Sequence, residues 1–180
     1  MADEKTVEKT VEKKAVAEEK AVEHGYLGAT ACKICHKKET KGAQYTKWLA
    51  SPHAHAYQTL LTDESKKICK KLGIKEAPEA AGKCLKCHVT AYGVKAELLG
   101  KKYDKTEGVS CESCHGPAAD WKKPHMKDPE TAAKLGMIKP DDEKMCMGCH
   151  NEESPTYKPF KYKEKLAAIA HPNPMKADKK

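Results

Sequence analysis

Residues 111–115 read CESCH, and the same frame recurs three times: CKICH at 32–36, CLKCH at 84–88 and CMGCH at 146–150. Cys-x-x-Cys-His is the attachment signature of c-type haem. Two thiols at this spacing reach the two vinyl groups on one porphyrin edge, and the adjacent histidine falls under the iron as proximal ligand. The rival reading is zinc, because two Cys-x-x-Cys pairs can form one tetrahedral site. Zinc does not ask for a histidine after every pair. With 9 His in 180 residues, four such coincidences arise on the order of once in 160,000 draws, so the repeated frame favours haem. Catalytic redox pairs usually occur singly, not four to a chain. The reading is four covalent haems c, attached by Cys32 and Cys35, Cys84 and Cys87, Cys111 and Cys114, and Cys146 and Cys149. His36, His88, His115 and His150 are then the proximal iron ligands.

This reading accounts for an odd composition. The 180 residues include one Phe and two Trp, 33% are charged, and mean hydropathy is −0.79. So little apolar bulk would ordinarily suit a disordered chain. Four porphyrins supply the missing apolar volume, one for every 45 residues (180/4). The net charge of +8 falls to about +4 with four ferric haems and to about zero when all are reduced, once their propionates are counted. Nucleic-acid binding is therefore not implied. No apolar run is long enough to span a bilayer, and no signal peptide is present. Since haem c is attached outside the cytoplasm, the expected location is periplasmic or extracellular, with the signal already removed.

Residues 1–24 are a charged, low-complexity tail in which KTVE occurs twice, and residues 25–180 form the haem domain. Caps place four helices. Ser51 and Pro52 open one through about Leu61; Thr62 opens another, closed by Lys70, Lys71 and Gly73. Asp128 and Pro129 open a third that ends at Gly136, and a fourth runs over 161–170, stopped by Pro172. No stretch alternates long enough for a sheet. The fold expected is mostly α-helical with extensive loops, a small multihaem cytochrome c fold wrapped around its haems.

Five histidines remain: His24, His53, His55, His125 and His171. A low-spin haem takes a second axial ligand, usually His or Met. His53 and His55 lie two apart, about 200° around an α-helix, so they cannot both face one iron. The ninth cysteine, Cys69, has core spacing with Ile68 and Leu72 and reads as a buried thiol. Trp48 and Trp121 read as packing residues.

TEGVSCESCHGP at 106–117, KCLKCHVTAYG at 83–93 and WLASPHAHAYQTL at 48–60 resemble the tetrahaem cytochrome c-554 family. Its best-known member carries electrons from hydroxylamine oxidoreductase in ammonia-oxidising bacteria. The resemblance implies distal iron ligands at His53, His125 and His171. It also implies an open, high-spin haem at the second motif, with Pro159 and Phe160 near its open face. His24, His55 and Lys158 lack counterparts, and His24 or His55 is a candidate sixth ligand of that haem. The function expected is electron carriage between redox protein partners through closely packed haems, not enzymatic catalysis. Two alternatives stand beside it. One is a small reductase binding nitric oxide or a similar ligand at the second haem. The other is self-association into an oligomer or an extracellular filament, with His24 donated to a neighbouring chain.

Overall fold

The computed structural model describes residues 23–171 and residue 174; most of the low-complexity tail and Met175 lie outside the described residues. Among the described residues nine short helices follow one another: α1 (Thr30–His36), α2 (Gln44–Leu49), α3 (Ala56–Leu60), α4 (Asp63–Lys71), α5 (Gly82–His88), α6 (Cys111–His115), α7 (Pro129–Lys134), α8 (Glu143–Met147) and α9 (Tyr162–Ile169). Among the described residues there is no strand, and pairing is limited to one isolated parallel bridge between Tyr26 and Leu99.

The capped helices form where their caps place them. The Thr62 hydroxyl accepts from Ser65 N, and Asp128 accepts from Thr131 N with Pro129 at the first helical position. The segment expected as one helix from Ser51 divides into a 3-10 turn over Pro52–His55 and then α3. His55 is the joint, with φ −105° and ψ 9°. The division matters because it changes which way the two histidines point.

Helices of five to seven residues are not stable alone. Here they are held by bonds from distant chain. The N-terminus of α1 has no side-chain cap of its own; Glu107 supplies it by accepting from Ala29 N (2.8 Å) and Thr30 N (3.3 Å). Glu112, inside α6, is 2% exposed and accepts from Leu27 N, Gly28 N and Ala118 N at 2.8–3.1 Å. A buried carboxylate without such donors would be strongly unfavourable.

The conventional core is thin. The buried apolar residues are mostly alanines with Tyr57, Leu60, Val89 and Trp121, and among the described residues no large side chain is less than 2% exposed. One cluster gathers Ala118, Trp121 and Ala132, with Leu27, Leu135 and Met137 packed on it. Glu23 and His24, placed with the tail by composition, are tied to the body. Lys95 donates to Glu23 at 2.8 Å, and His24 Nδ1 lies 2.6 Å from Asp120. His24 also packs over Gly136, where a Cβ would come within 2.8 Å of its ring.

Candidate haem-binding site

Three of the four motifs end a helix or form one, α1 carrying the first, α5 the second and α6 the third; the fourth begins in the last residues of α8 and runs through the turn after it. A helical turn sets the two cysteines of each motif on neighbouring positions and directs the histidine after them. The four attachment segments meet in pairs. Glu112 of the third motif and Glu107 just before it accept from the backbone amides of residues 27–30, which lead into the first. An ion pair between Lys86 and Glu153 joins the second to the fourth.

The imidazoles are arranged more specifically. His36 faces His125 with ring centres 6.0 Å apart, His53 faces His150 at 6.0 Å, and His115 faces His171 at 6.1 Å. With a metal–imidazole bond of about 2 Å and a ring centre about 1 Å behind its nitrogen, two rings on opposite sides of one ion have centres about 6 Å apart. Ordinary aromatic pairs also span this range. Two things set these three apart. Each joins one motif histidine to one spare histidine, and the three spacings agree within 0.1 Å.

Backbone and side-chain acceptors orient the rings. His36 Nδ1 faces Gln44 Oε1 at 3.1 Å, His88 Nδ1 faces the Ala56 carbonyl at 2.7 Å, and His115 Nδ1 faces Ile138 O at 3.3 Å. His125 Nδ1 faces Lys122 O at 2.5 Å and His171 Nδ1 faces Ile169 O at 2.9 Å. A ring that donates from Nδ1 presents an unprotonated Nε2, the tautomer a metal requires. Burial holds the His53, His115 and His150 imidazoles below the usual histidine range, which favours the same neutral form.

Two further features fit a haem group. The Trp121 indole nitrogen is buried with no hydrogen-bond partner, while its ring lies 5.5 Å from His125. A propionate is an acceptor of the kind such an orphaned donor lacks. The sparse core also leaves apolar volume for porphyrin to fill.

His88 has no imidazole partner among the described residues. His55 is exposed, because a 3-10 turn sets it about 240° around from His53. His24 is held by Asp120. The structure therefore brings neither of them to His88. Lys158 is exposed. Phe160, expected near the open face of the second haem, lies on His150, with ring centres 4.7 Å apart and planes 21° apart. The reason is the turn over 151–157: Asn151 donates to Met147 O and accepts from Glu153 N, folding the chain back onto α8. Cys69 is buried, as its spacing suggests, with its sulfur 4.0 Å from that of Cys84. Trp48 donates to Val109 O at 2.9 Å and packs on Tyr45.

Sequence reasoning missed the orienting groups. Gln44, Glu107 and Glu112 have unremarkable sequence contexts, and carbonyls such as that of Ala56 carry no side-chain signal at all. Gly108 lies in a stretch whose sequence signal is carried by the cysteines and histidine that follow it. Its φ of 71° and ψ of −138° lie where side chains are strained, and a Cβ there would stand 2.6 Å from His53 O. Gly108→Ala is expected to cost about 1–3 kcal/mol in backbone strain alone and to push the 52–56 segment outward. A thermal melt should show the loss. The visible spectrum should show partial conversion of one low-spin haem, because His53 moves with its carbonyl.

The chain matches two family models: "Cytochrome c554 and c-prime" over residues 31–116, and a doubled CXXCH motif over residues 104–155. It is 28% identical over 144 residues to cytochrome c-554 of Nitrosomonas europaea, a match covering 72% of this chain and 59% of that protein's length. The solved structure of reduced cytochrome c554 from the same organism superposes with a TM-score of 0.54 at 27% identity, covering 82% of this chain and 79% of that one. No helix among the described residues is long and apolar enough to cross a membrane. On these matches the chain is similar to cytochrome c-554 in sequence and fold, and its four Cys-x-x-Cys-His frames carry four covalently bound c-type haems.

Proposed function

We propose that the protein is an exported electron carrier, periplasmic or extracellular, that passes single electrons between redox protein partners through its four haems. The observation that carries this reading is the set of three imidazole pairs at 6.0–6.1 Å. In it His125, His53 and His171 are the distal ligands opposite His36, His150 and His115. The bound haems supply one-electron ferric–ferrous chemistry. The chain contributes position, burial and ligation. The paired attachment segments keep the first motif beside the third and the second beside the fourth, with no residue required to make or break a bond.

The test is a pair of substitutions read by electron paramagnetic resonance. His53→Ala should convert one low-spin haem to high-spin, while His55→Ala should leave the spectrum nearly unchanged. The reverse outcome would mean that the ligand lies on the other side of the turn. The same spectrum of the parent protein should hold two classes of low-spin signal. An imidazole π orbital splits two iron d orbitals along its own plane, so near-parallel rings reinforce the splitting and crossed rings cancel it. His36 and His125 lie 22° apart, while the other two pairs lie 62° and 66° apart. One rhombic signal and two strongly axial ones are expected.

A second reading is supported by the unpaired His88. An iron with one open face binds small diatomic ligands, so the protein would act as a reductase of nitric oxide or a similar molecule. Nothing comparable favours a filament: His24, the candidate ligand donor to a neighbouring chain, is engaged by Asp120 of its own chain.

A further inference from the structure

Glu112 is the most deeply buried charged side chain of the protein's described residues, at 2% exposure. It sits inside the third motif, yet most of its bonds leave that motif. One carboxylate oxygen accepts from Leu27 N at 2.9 Å and Ala118 N at 2.8 Å; the other accepts from Leu27 N at 3.1 Å and Gly28 N at 2.8 Å. Every partner is an N–H donor. A protonated acid would set its own hydrogen against one of them, so this geometry calls for the carboxylate. The residues it grips, Leu27 and Gly28, lead directly into α1 and the first motif. Glu107, just before the third motif, binds Ala29 N and Thr30 N at the same place and so ties the first and third attachment segments together.

We propose that Glu112 is a potential-setting residue, a buried negative charge that stabilises the ferric state of the first and third haems over those of the second and fourth. The inference rests on the haem attachment sites and not on the assignment of distal ligands. Its physical basis is Coulombic. A charge held away from water is weakly screened, and oxidation adds one positive charge to each haem. A fixed carboxylate nearby therefore favours the oxidised form and lowers the potential. The selectivity comes from placement. Glu112 lies between Cys111 and Cys114 in the third motif, and its carboxylate grips Leu27 and Gly28, which lead into Cys32 of the first. Its bonds reach neither the second motif nor the fourth. Glu107, which also binds the start of α1, is only half-buried and is the weaker contributor of the two.

The experiment is a spectroelectrochemical titration of the purified four-haem protein and two variants. Glu112→Gln removes the charge at nearly constant volume. Two of the four midpoint potentials should rise and two should hold, with haem content and low-spin count unchanged. If Glu112→Gln fails to retain its haems, Glu112→Asp carries the test. Its shorter arm draws the charge off Leu27 and Gly28 but keeps it beside Cys111, so the first haem's potential should rise and the third should change less. A purely structural tie predicts weaker haem retention or a lower melting temperature with potentials in place. Unchanged potentials in either variant that retains its haems, or an equal shift of all four, would overturn the proposal. Failure of the distal-ligand reading would show separately, in the His53→Ala spectrum.

Discussion

Replacing Cys111 by Ala is expected to cost the protein its third haem, lowering the count from four to three as read by the mass of the denatured chain and by a pyridine haemochrome assay. The effect should not stay local. The next residue, Glu112, holds the segment that leads into α1. In the proposed ligation His115 then loses the group it shares with His171, so α9, which otherwise offers little buried surface, has nothing to dock against. Porphyrin stands in for most of the core, and losing one haem removes more apolar contact than any single side chain could. Cooperative thermal unfolding should give way to a broad transition at lower temperature. A variant that kept four haems and a sharp melt would show that this thioether is dispensable.

Reduced protein exposed to carbon monoxide should bind one equivalent per chain, at the haem of Cys84, Cys87 and His88, and three haems should be unaffected. The expectation follows from the ring census: three motif histidines face a second imidazole at about 6 Å, and His88 faces none. Nitric oxide should behave in the same way. The proximal bond itself is well supported, since His88 donates to the Ala56 carbonyl at 2.7 Å. Such a donor hydrogen bond makes the imidazole a stronger base toward the metal. Complete resistance to carbon monoxide would mean that a sixth ligand closes the iron, with Lys158 the first candidate, and the reductase reading would lose its site. Binding at two or more haems would instead mean that one of the three ring pairs does not hold an iron.

Much of this was legible in the sequence because the chemistry is written in short local frames. Four Cys-x-x-Cys-His segments announce four haems wherever the chain goes. Thr62 and Asp128 announce helices because a cap acts within three residues of itself. The partners of the distal histidines were not readable from spacing. His53 meets His150 and His36 meets His125 only after the chain has crossed itself, and it was resemblance that singled out the three ligands. The contact of Phe160 was not readable either. The turn after α8, set by Asn151, lays its ring on that of His150. The 51–61 helix was called as one piece because Pro52 is an excellent start signal. What divides it is the close approach of Gly108, whose carbonyl and neighbouring amide tie to Thr90 and His53. That is a tertiary constraint no local pattern encodes.

The three ring pairs also have a topological consequence. Along the chain they run 36 to 125, 53 to 150 and 115 to 171, so each span opens before the previous one has closed. They interlock like links of a chain. Every peptide bond from 36 to 171 is straddled by at least one of them, and every bond between 53 and 125 by at least two. A protease nick at the exposed 75–77 segment would therefore leave two fragments still clasped through two irons. They would migrate as one particle under native conditions and part only when ligation is broken. The same interlocking means that no terminal piece can be trimmed back past the outermost histidines without opening a ring. What composition describes as a chain too polar to fold is, in this respect, stitched along nearly its whole described length.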